Sequence, residues 1–271
     1  MAEITAKMVN ELRGKTGLGM MECKKALTET GGDVEKAIDY FRKKGVKTSI
    51  TERAATEGRV AAAVSPDRKR GVIVELNCNT DFTAKSEPVG KIAAAAAAKL
   101  LAHPSVKLAD DASIKADLVT VSQQTGENVQ LGRSASLASE AGVVGSYLYS
   151  VAGKGKSAVL VALAGKVDDD LIRNIGMHIV AARPIAQTRQ DVSAEIVAKE
   201  KEIAVEQAKA TGKPQNIAEK IAEGKLNSFY AERVLLDQEY INAEVFKGSV
   251  ANYLKSKGAT LEKYVRIEVG Q

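Results

Sequence analysis

Few residues of this chain could make or break bonds. His103 and His178 are the two histidines, and Cys23 and Cys78 the two cysteines, among 271 residues. The cysteines lack any C-x-x-C spacing, which argues against a disulfide framework or a zinc site. Two isolated histidines leave little room for general acid–base work, and no Ser/His/Asp or Cys/His set is visible. The sharpest enzyme-like signal is S-V-A-G-K-G-K-S, Ser150 to Ser157, which ends in the Gly-Lys-Ser of a phosphate-binding loop. That pattern needs a glycine at position 150, where Ser stands, and a helix after the loop to face the phosphates. Ala158-Val159-Leu160-Val161 follows instead and reads as a strand. The stretch is therefore expected to be a glycine turn with solvated lysines. No catalytic residue, cofactor or metal is expected.

One further stretch stands out. The apolar run Val72 to Leu76 leads into N-C-N-T-D-F-T-A-K-S-E, which places Phe82, one of 4 phenylalanines, beside Asp81. Composition alone favours a ring folded into the core beneath the next helix, with Asp81 opening a turn. The other reading is a wedge for a partner's pocket, since buried aromatics are common anchors of interfaces.

The bulk numbers describe an ordinary soluble chain: 45% hydrophobic, 27% charged, net charge +5 and 4% aromatic. Its core must rest on Ala, Val, Ile and Leu. The N-terminal residues have charges at helical spacing and no apolar signal segment. The Ala-rich tract Ile92–Leu101 carries Lys99 and is too short to span a bilayer. A cytosolic location is expected, with no membrane partner. Basic runs at Arg42-Lys43-Lys44 and Arg68-Lys69-Arg70 lack the interleaved aromatics typical of single-strand binders. RNA binding is the weaker alternative, and no direct nucleic-acid contact is expected.

The elements that must position these residues form an α+β pattern. Residues 1–45 read as three short helices, with Val9 and Leu12 on one face and the loop Gly14–Met20 before the second. Asp33 caps the third, Ala37, Ile38 and Phe41 share its face, and Gly45 stops it. A polar connector runs to Gly58. Arg59–Val64 and Val72–Leu76 form a hairpin. Ser86, with Pro88 behind it, caps an Ala-rich helix ending at His103-Pro104. A helix near 114–124 and a strand near 128–138 follow. A second hairpin, 143–151 with 157–163, precedes a helix from Asp168 to Ala182. From Asp191 to about Gln238 the stripe thins to Val192, Ile196, Ile203, Ile217 and Ile221, broken by Thr211–Pro214, with Asn216 and Glu219 as a capping box. This reads as a protruding antiparallel helical hairpin. A helix at 250–257 and a strand at 264–269 close the chain.

Several motifs carry a resemblance. L-R-G-K-T-G-L-G-M-M-E-C-K-K-A-L, Leu12 to Leu27, resembles the N-terminal signature of the bacterial elongation factor Ts family. N-C-N-T-D-F-T-A, Asn77 to Ala84, resembles its second signature. Gly126-Glu127-Asn128, Met177-His178-Ile179 to Pro184, and Gly212–Pro214 to Glu223-Gly224 follow in the family's order. The resemblance implies a three-helix module like a ubiquitin-associated domain over 1–54. It also implies a two-part α+β core with antiparallel sheets, 55–140 and 141–271, and a protruding coiled coil inserted at about 188–227.

The function implied is non-enzymatic exchange of guanine nucleotide on elongation factor Tu during protein biosynthesis. By the resemblance, Thr80-Asp81-Phe82-Thr83 dislodges the Mg²⁺ bound in the partner, with Phe82 at the tip of a rigid strand. Met20, Met21 and Lys24 are expected to supply grip at the exposed end of the second helix, although Met20 and Met21 could equally close a small core. The coiled coil is the natural place for self-association or a second contact. The sequence departs from the family pattern at Tyr149, where His is frequent and where the phenol is expected to remake that residue's contact with the partner, at Asn79 for Glu or Gln, and at Thr83 for Val. It also stops at Val-Gly-Gln, where the family commonly continues into a helical tail.

Overall fold

The structure, a computed structural model, describes residues 4–44, 55–210 and 214–271. Three helices come first: α1 (Ala6–Thr16), α2 (Met20–Glu29) and α3 (Val34–Lys43). They share a small core of Val9, Leu12, Cys23, Ala26, Leu27, Ala37 and Phe41. Thr5 caps α1, Gly17 closes it in the left-handed conformation, and Asp33 caps α3 by accepting from the Lys36 N–H at 3.0 Å. The expected stop at Gly45 lies outside the described residues, as does the connector as far as position 54.

The body of the protein holds two antiparallel sheets. β1 (Glu57–Val64), β2 (Arg70–Cys78) and β3 (Gln130–Ala138) form one, and β4 (Val143–Val151), β5 (Lys154–Gly165) and β6 (Ala259–Glu268) the other. The inner faces pack on each other through Val60, Ile73, Leu137, Val144, Leu160 and Ile267. The outer face of the first sheet is covered by α5 (Glu87–Ala102) and α6 (Ala112–Thr125), and that of the second by α7 (Asp169–Ala182) and α10 (Val250–Ser256). The middle strands β2 and β5 are thus buried on both faces, so they read as continuous apolar runs rather than as alternation.

Some boundaries differ from expectation. β1 begins at Glu57, β5 at Lys154 and β6 at Ala259, because pairing with a neighbour carries each strand past its apolar segment. Ser86 does occupy the N-cap position of α5, but its hydroxyl makes no capping bond. The helical hairpin is α8 (Ala194–Ala210) and α9 (Gln215–Arg233), displaced toward the C-terminus from the expected 188–227 segment rather than lengthened. Pro214, not Asn216, sits at the α9 N-cap, so the expected capping box is absent and Glu219 bonds Gln215 instead. Ile196, Ile203 and Ile217 are exposed, while Ala204, Ala208 and Ala222 are buried. Alanines let two helix backbones approach closely, and the bulkier isoleucines are turned outward. At its base the hairpin packs Val197, Phe229 and Tyr230 against Ala186, Val192 and Val234.

A buried carboxylate joins the sheets. Glu75 sits where the β2–β3 register shifts. It accepts from Arg133 Nε at 2.8 Å, Nη2 at 3.0 Å and the Arg133 backbone N–H at 3.1 Å. Arg133 Nη2 also reaches the Glu268 carbonyl on β6 at 2.6 Å. The Glu268 carboxylate in turn takes Arg183 and Arg266.

His178 is fully buried on α7. The Ile241 N–H donates to its Nδ1 at 3.2 Å, so the ring proton resides on Nε2 and is donated to Gln238 Oε1 at 3.0 Å. Burial holds its pKa below the ordinary value. Protonating Nδ1 would set two N–H groups against each other. The folded state thus binds this proton less readily than the unfolded chain does, and its contribution is present above about pH 6.5 and lost as pH falls below it. Urea unfolding between pH 7.5 and 5.5 is expected to show a steeper loss of stability for the wild type than for His178→Gln. Equal slopes would remove His178 as a source of acid sensitivity.

Candidate functional site

β2 ends at Cys78, and two residues later the chain enters α4 (Asp81–Lys85). Phe82 therefore lies in the first turn of a short helix rather than at a strand tip. The composition-based expectation of a ring beneath α5 also fails, because Phe82 is 80% exposed. The inner side of α4 is taken by Thr83 and Ala84, both buried, which leaves the ring the outward position. Thr83 consequently supports the segment from inside and presents no side-chain surface to a partner. Asp81 is paired with Lys85 at 2.6 Å, and that hydrogen bond holds its carboxyl below the usual carboxylate range. The Lys85 ammonium stands 6.0 Å from the Phe82 ring centre, so the Asp81–Lys85 pair lies beside the exposed ring.

The base of α4 is tied down at both ends. Thr80 caps the helix by accepting from the Thr83 N–H, and it is itself held by Glu127. At the other end Arg59 Nη1 lies 3.4 Å from the carbonyls of Ala84 and Ser86, and its Nη2 reaches the Gly153 carbonyl at 3.2 Å. An added Cβ at Gly90 would strike that guanidinium, so glycine makes room for it. Arg59 thereby links the end of α4 to the β4–β5 turn.

Met20 and Met21 are 56% and 76% exposed, and Lys24 is exposed beside them on α2. Cys23, Ala26 and Leu27 close the small core on the opposite side, so the methionines are not needed there. Both methionines line a cleft of about 890 Å³ between the C-terminal turn of α1 with the Gly17–Gly19 loop on one side and, on the other, Gln123, Gln124, Thr125 and Gly126 at the end of α6. Glu127, the next residue, is the one that grips Thr80. The exposed methionines and the Phe82 segment therefore flank one corner of the fold. Tyr149 lies apart from them on the edge strand β4. It is exposed beside Leu148 and Val151 and lines a hollow of about 500 Å³ with Met177 and Arg183.

The phosphate-loop resemblance dissolves. Ala152 and Gly153 form the β4–β5 turn with φ of 49° and 81°, and Ser157 is buried in β5, bonded to the Ile267 carbonyl. Lys154 is buried against Glu57 at 2.7 Å. Two charges of one basic run are engaged within the chain at its surface: Arg68 pairs with Asp169, and Lys69 donates to the carbonyls of Glu140 and Gly142. This does not favour the RNA alternative. Among the described residues no group of three or more His, Cys, Asp or Glu could hold a metal ion. Both cysteines are buried, and burial pushes the Cys78 thiol up to about 11. Among the described residues no helix is long and apolar enough to cross a membrane.

A sequence profile described as Elongation factor TS matches residues 78–271, from the end of β2 onward. This chain belongs to the elongation factor Ts family. The Elongation factor Ts of Methylococcus capsulatus is 43% identical over 278 positions, covering 99% of this chain and 92% of its own. That of Pasteurella multocida is 43% identical, covering 100% and 93%. That of Prosthecochloris aestuarii is 38% identical, with both chains covered completely. Within this elongation factor Ts chain, the fold brings together Thr80, Asp81 and Phe82 on one side of the α6–β3 corner and Met20 and Met21 on the other. It leaves Tyr149 separate. Sequence reasoning did not find the anchors Arg59 and Glu127. Glu127 was visible as part of a motif, but no local spacing signals a hydrogen bond between residues 47 apart in sequence.

Proposed function

We propose that this elongation factor is a guanine-nucleotide exchange factor for elongation factor Tu. It binds the GDP form of that GTPase in the cytoplasm, displaces Mg²⁺ and releases GDP so that GTP can bind. The observation that carries the reading is Phe82: a large ring fully outside the core, on a helical turn anchored at both ends. GDP in a GTPase is held by backbone N–H groups around its phosphates and by Mg²⁺. A ring pushed behind that site displaces those ligands without any covalent step, so the chain does no bond-making itself. Asp81 and Thr80 border the ring, while Met20, Met21 and Lys24 supply grip, methionine being suited to adaptable contacts. Tyr149 makes a further contact from the second sheet.

A ten-thousandfold loosening of GDP requires roughly 5.5 kcal/mol of differential binding. One buried Phe supplies roughly 2–4 kcal/mol. The wedge therefore needs the rest of the surface. In this reading residues 1–54 act as a module resembling a ubiquitin-associated domain, 55–140 and 141–271 are the two halves of the core, and α8–α9 is a coiled coil open to self-association.

The test is release of fluorescent GDP from elongation factor Tu at rising concentrations of this protein. A saturable acceleration is expected. Because coupling is reciprocal, excess GDP should weaken the complex on gel filtration by the same factor. An unchanged GDP residence time overturns the reading.

A further inference from the structure

We propose that Glu127 is a positioning residue for exchange, whose carboxylate sets the orientation in which Phe82 is presented; this rests on the exchange reading above. α4 has five residues, far fewer than a helix needs to persist by itself. Its geometry must come from what holds its first turn. Three donors converge on Glu127: the N–H groups of Asn79 and Thr80 reach Oε2 at 3.1 and 3.0 Å, and the Thr80 hydroxyl reaches Oε1 at 2.6 Å. The same hydroxyl oxygen accepts the Thr83 N–H. Glu127 thus orients the very atom that caps α4.

The opposite side of this peptide is also held. The Cys78 thiol donates to the Thr80 carbonyl at 3.2 Å, and the Asn128 N–H donates to Asn79 Oδ1 at 2.7 Å. Residues 127 and 128 therefore grip residues 79 and 80 from a corner that Gly126 creates. Gly126 caps α6 in the left-handed conformation at φ 69°, which turns the chain abruptly from α6 toward β3. Glu127 directly follows Gly126, which lines the same cleft as Met20 and Met21. It touches neither nucleotide nor Mg²⁺ in this scheme and acts through the direction of the Phe82 ring. Preorganisation of this kind removes the cost of ordering a loop at the moment of contact.

The experiment compares Glu127→Ala, Glu127→Gln, Phe82→Ala and the double variant Phe82→Ala/Glu127→Ala. The readouts are the maximal rate of GDP release and the concentration at half-maximal effect. Glu127→Ala should lower the maximal rate roughly tenfold. The half-maximal concentration should change much less, because the methionine surface is intact. Glu127→Gln should restore most of the rate: its amide oxygen can accept both backbone N–H groups and its NH₂ can donate to the Thr80 oxygen. In the Phe82→Ala background, Glu127→Ala should cause no further loss, since it acts through the missing ring. A fully active Glu127→Ala overturns the inference, as does a glutamine variant no better than alanine, or an additive loss in the double variant. If Phe82→Ala itself were fully active, the exchange reading would fall, and this inference with it.

Discussion

Replacing Phe82 with alanine is expected to slow maximal GDP release from elongation factor Tu by roughly 30- to 1,000-fold, the kinetic counterpart of about 2–4 kcal/mol. The protein's own stability should barely move, within about 0.5 kcal/mol, because the ring leaves no cavity when it already stands in water. This separation of effects is unusual for a phenylalanine, and it follows from its 80% exposure. Stopped-flow release and thermal unfolding of the same preparation check both halves. Phe82→Leu should recover part of the rate, since an apolar volume is retained. A Phe82→Ala protein that exchanges at the wild-type rate would remove the ring from the mechanism. One that loses stability instead would show that the ring supports this chain rather than invading another.

The largest effect on stability is expected at the junction of the two sheets. Arg133→Met leaves the Glu75 carboxylate buried with neither its bidentate partner nor the link to the Glu268 carbonyl. Removing one member of a buried pair costs about 3–5 kcal/mol in general. Arg133 is itself half-exposed, so water can reach part of the gap and the lower end of that range, about 3 kcal/mol, is expected here. Arg133→Lys should not rescue it, because a point-like ammonium cannot reproduce the two-pronged contact. The double variant Glu75→Leu/Arg133→Met should regain most of the loss, as paired apolar replacements of buried ions often do. Urea midpoints at constant slope measure all three. A single Arg133→Met variant of wild-type stability would mean that Glu75 finds another partner or reaches solvent.

Much of the fold was legible because local and global signals agree. Thr5 and Asp33 cap the first and third helices, glycines follow the first and second, and the two hairpins alternate charged or glycine turns with apolar runs. The double burial of β2 and β5 even explains why those runs lack alternation. What stayed hidden depended on contacts distant in sequence. Phe82 looked like core because large apolar residues usually are; its exposure is settled by Thr83 and Ala84, which claim the inner side of a helix too short to announce itself. The isoleucine stripe of the hairpin misled for a related reason. Periodicity marks a face but does not say whether the bulky or the small residues meet the other helix, and here Ala204, Ala208 and Ala222 do. Glu127 and Arg59 sit in plain view, yet their partners lie tens of residues away.

The first three helices enclose a separate apolar nucleus, and they approach the body closely where Gly14 leaves room for Gln123. A partner held by both bodies is thus held bivalently. Once one half is docked, the other binds at high effective concentration, so avidity exceeds what either surface gives alone. The same division also offers a route off: either half can detach first, and two small barriers in succession are crossed faster than one large one. For a factor that must serve many partner molecules in turn, strong holding and prompt departure then cease to be opposing demands.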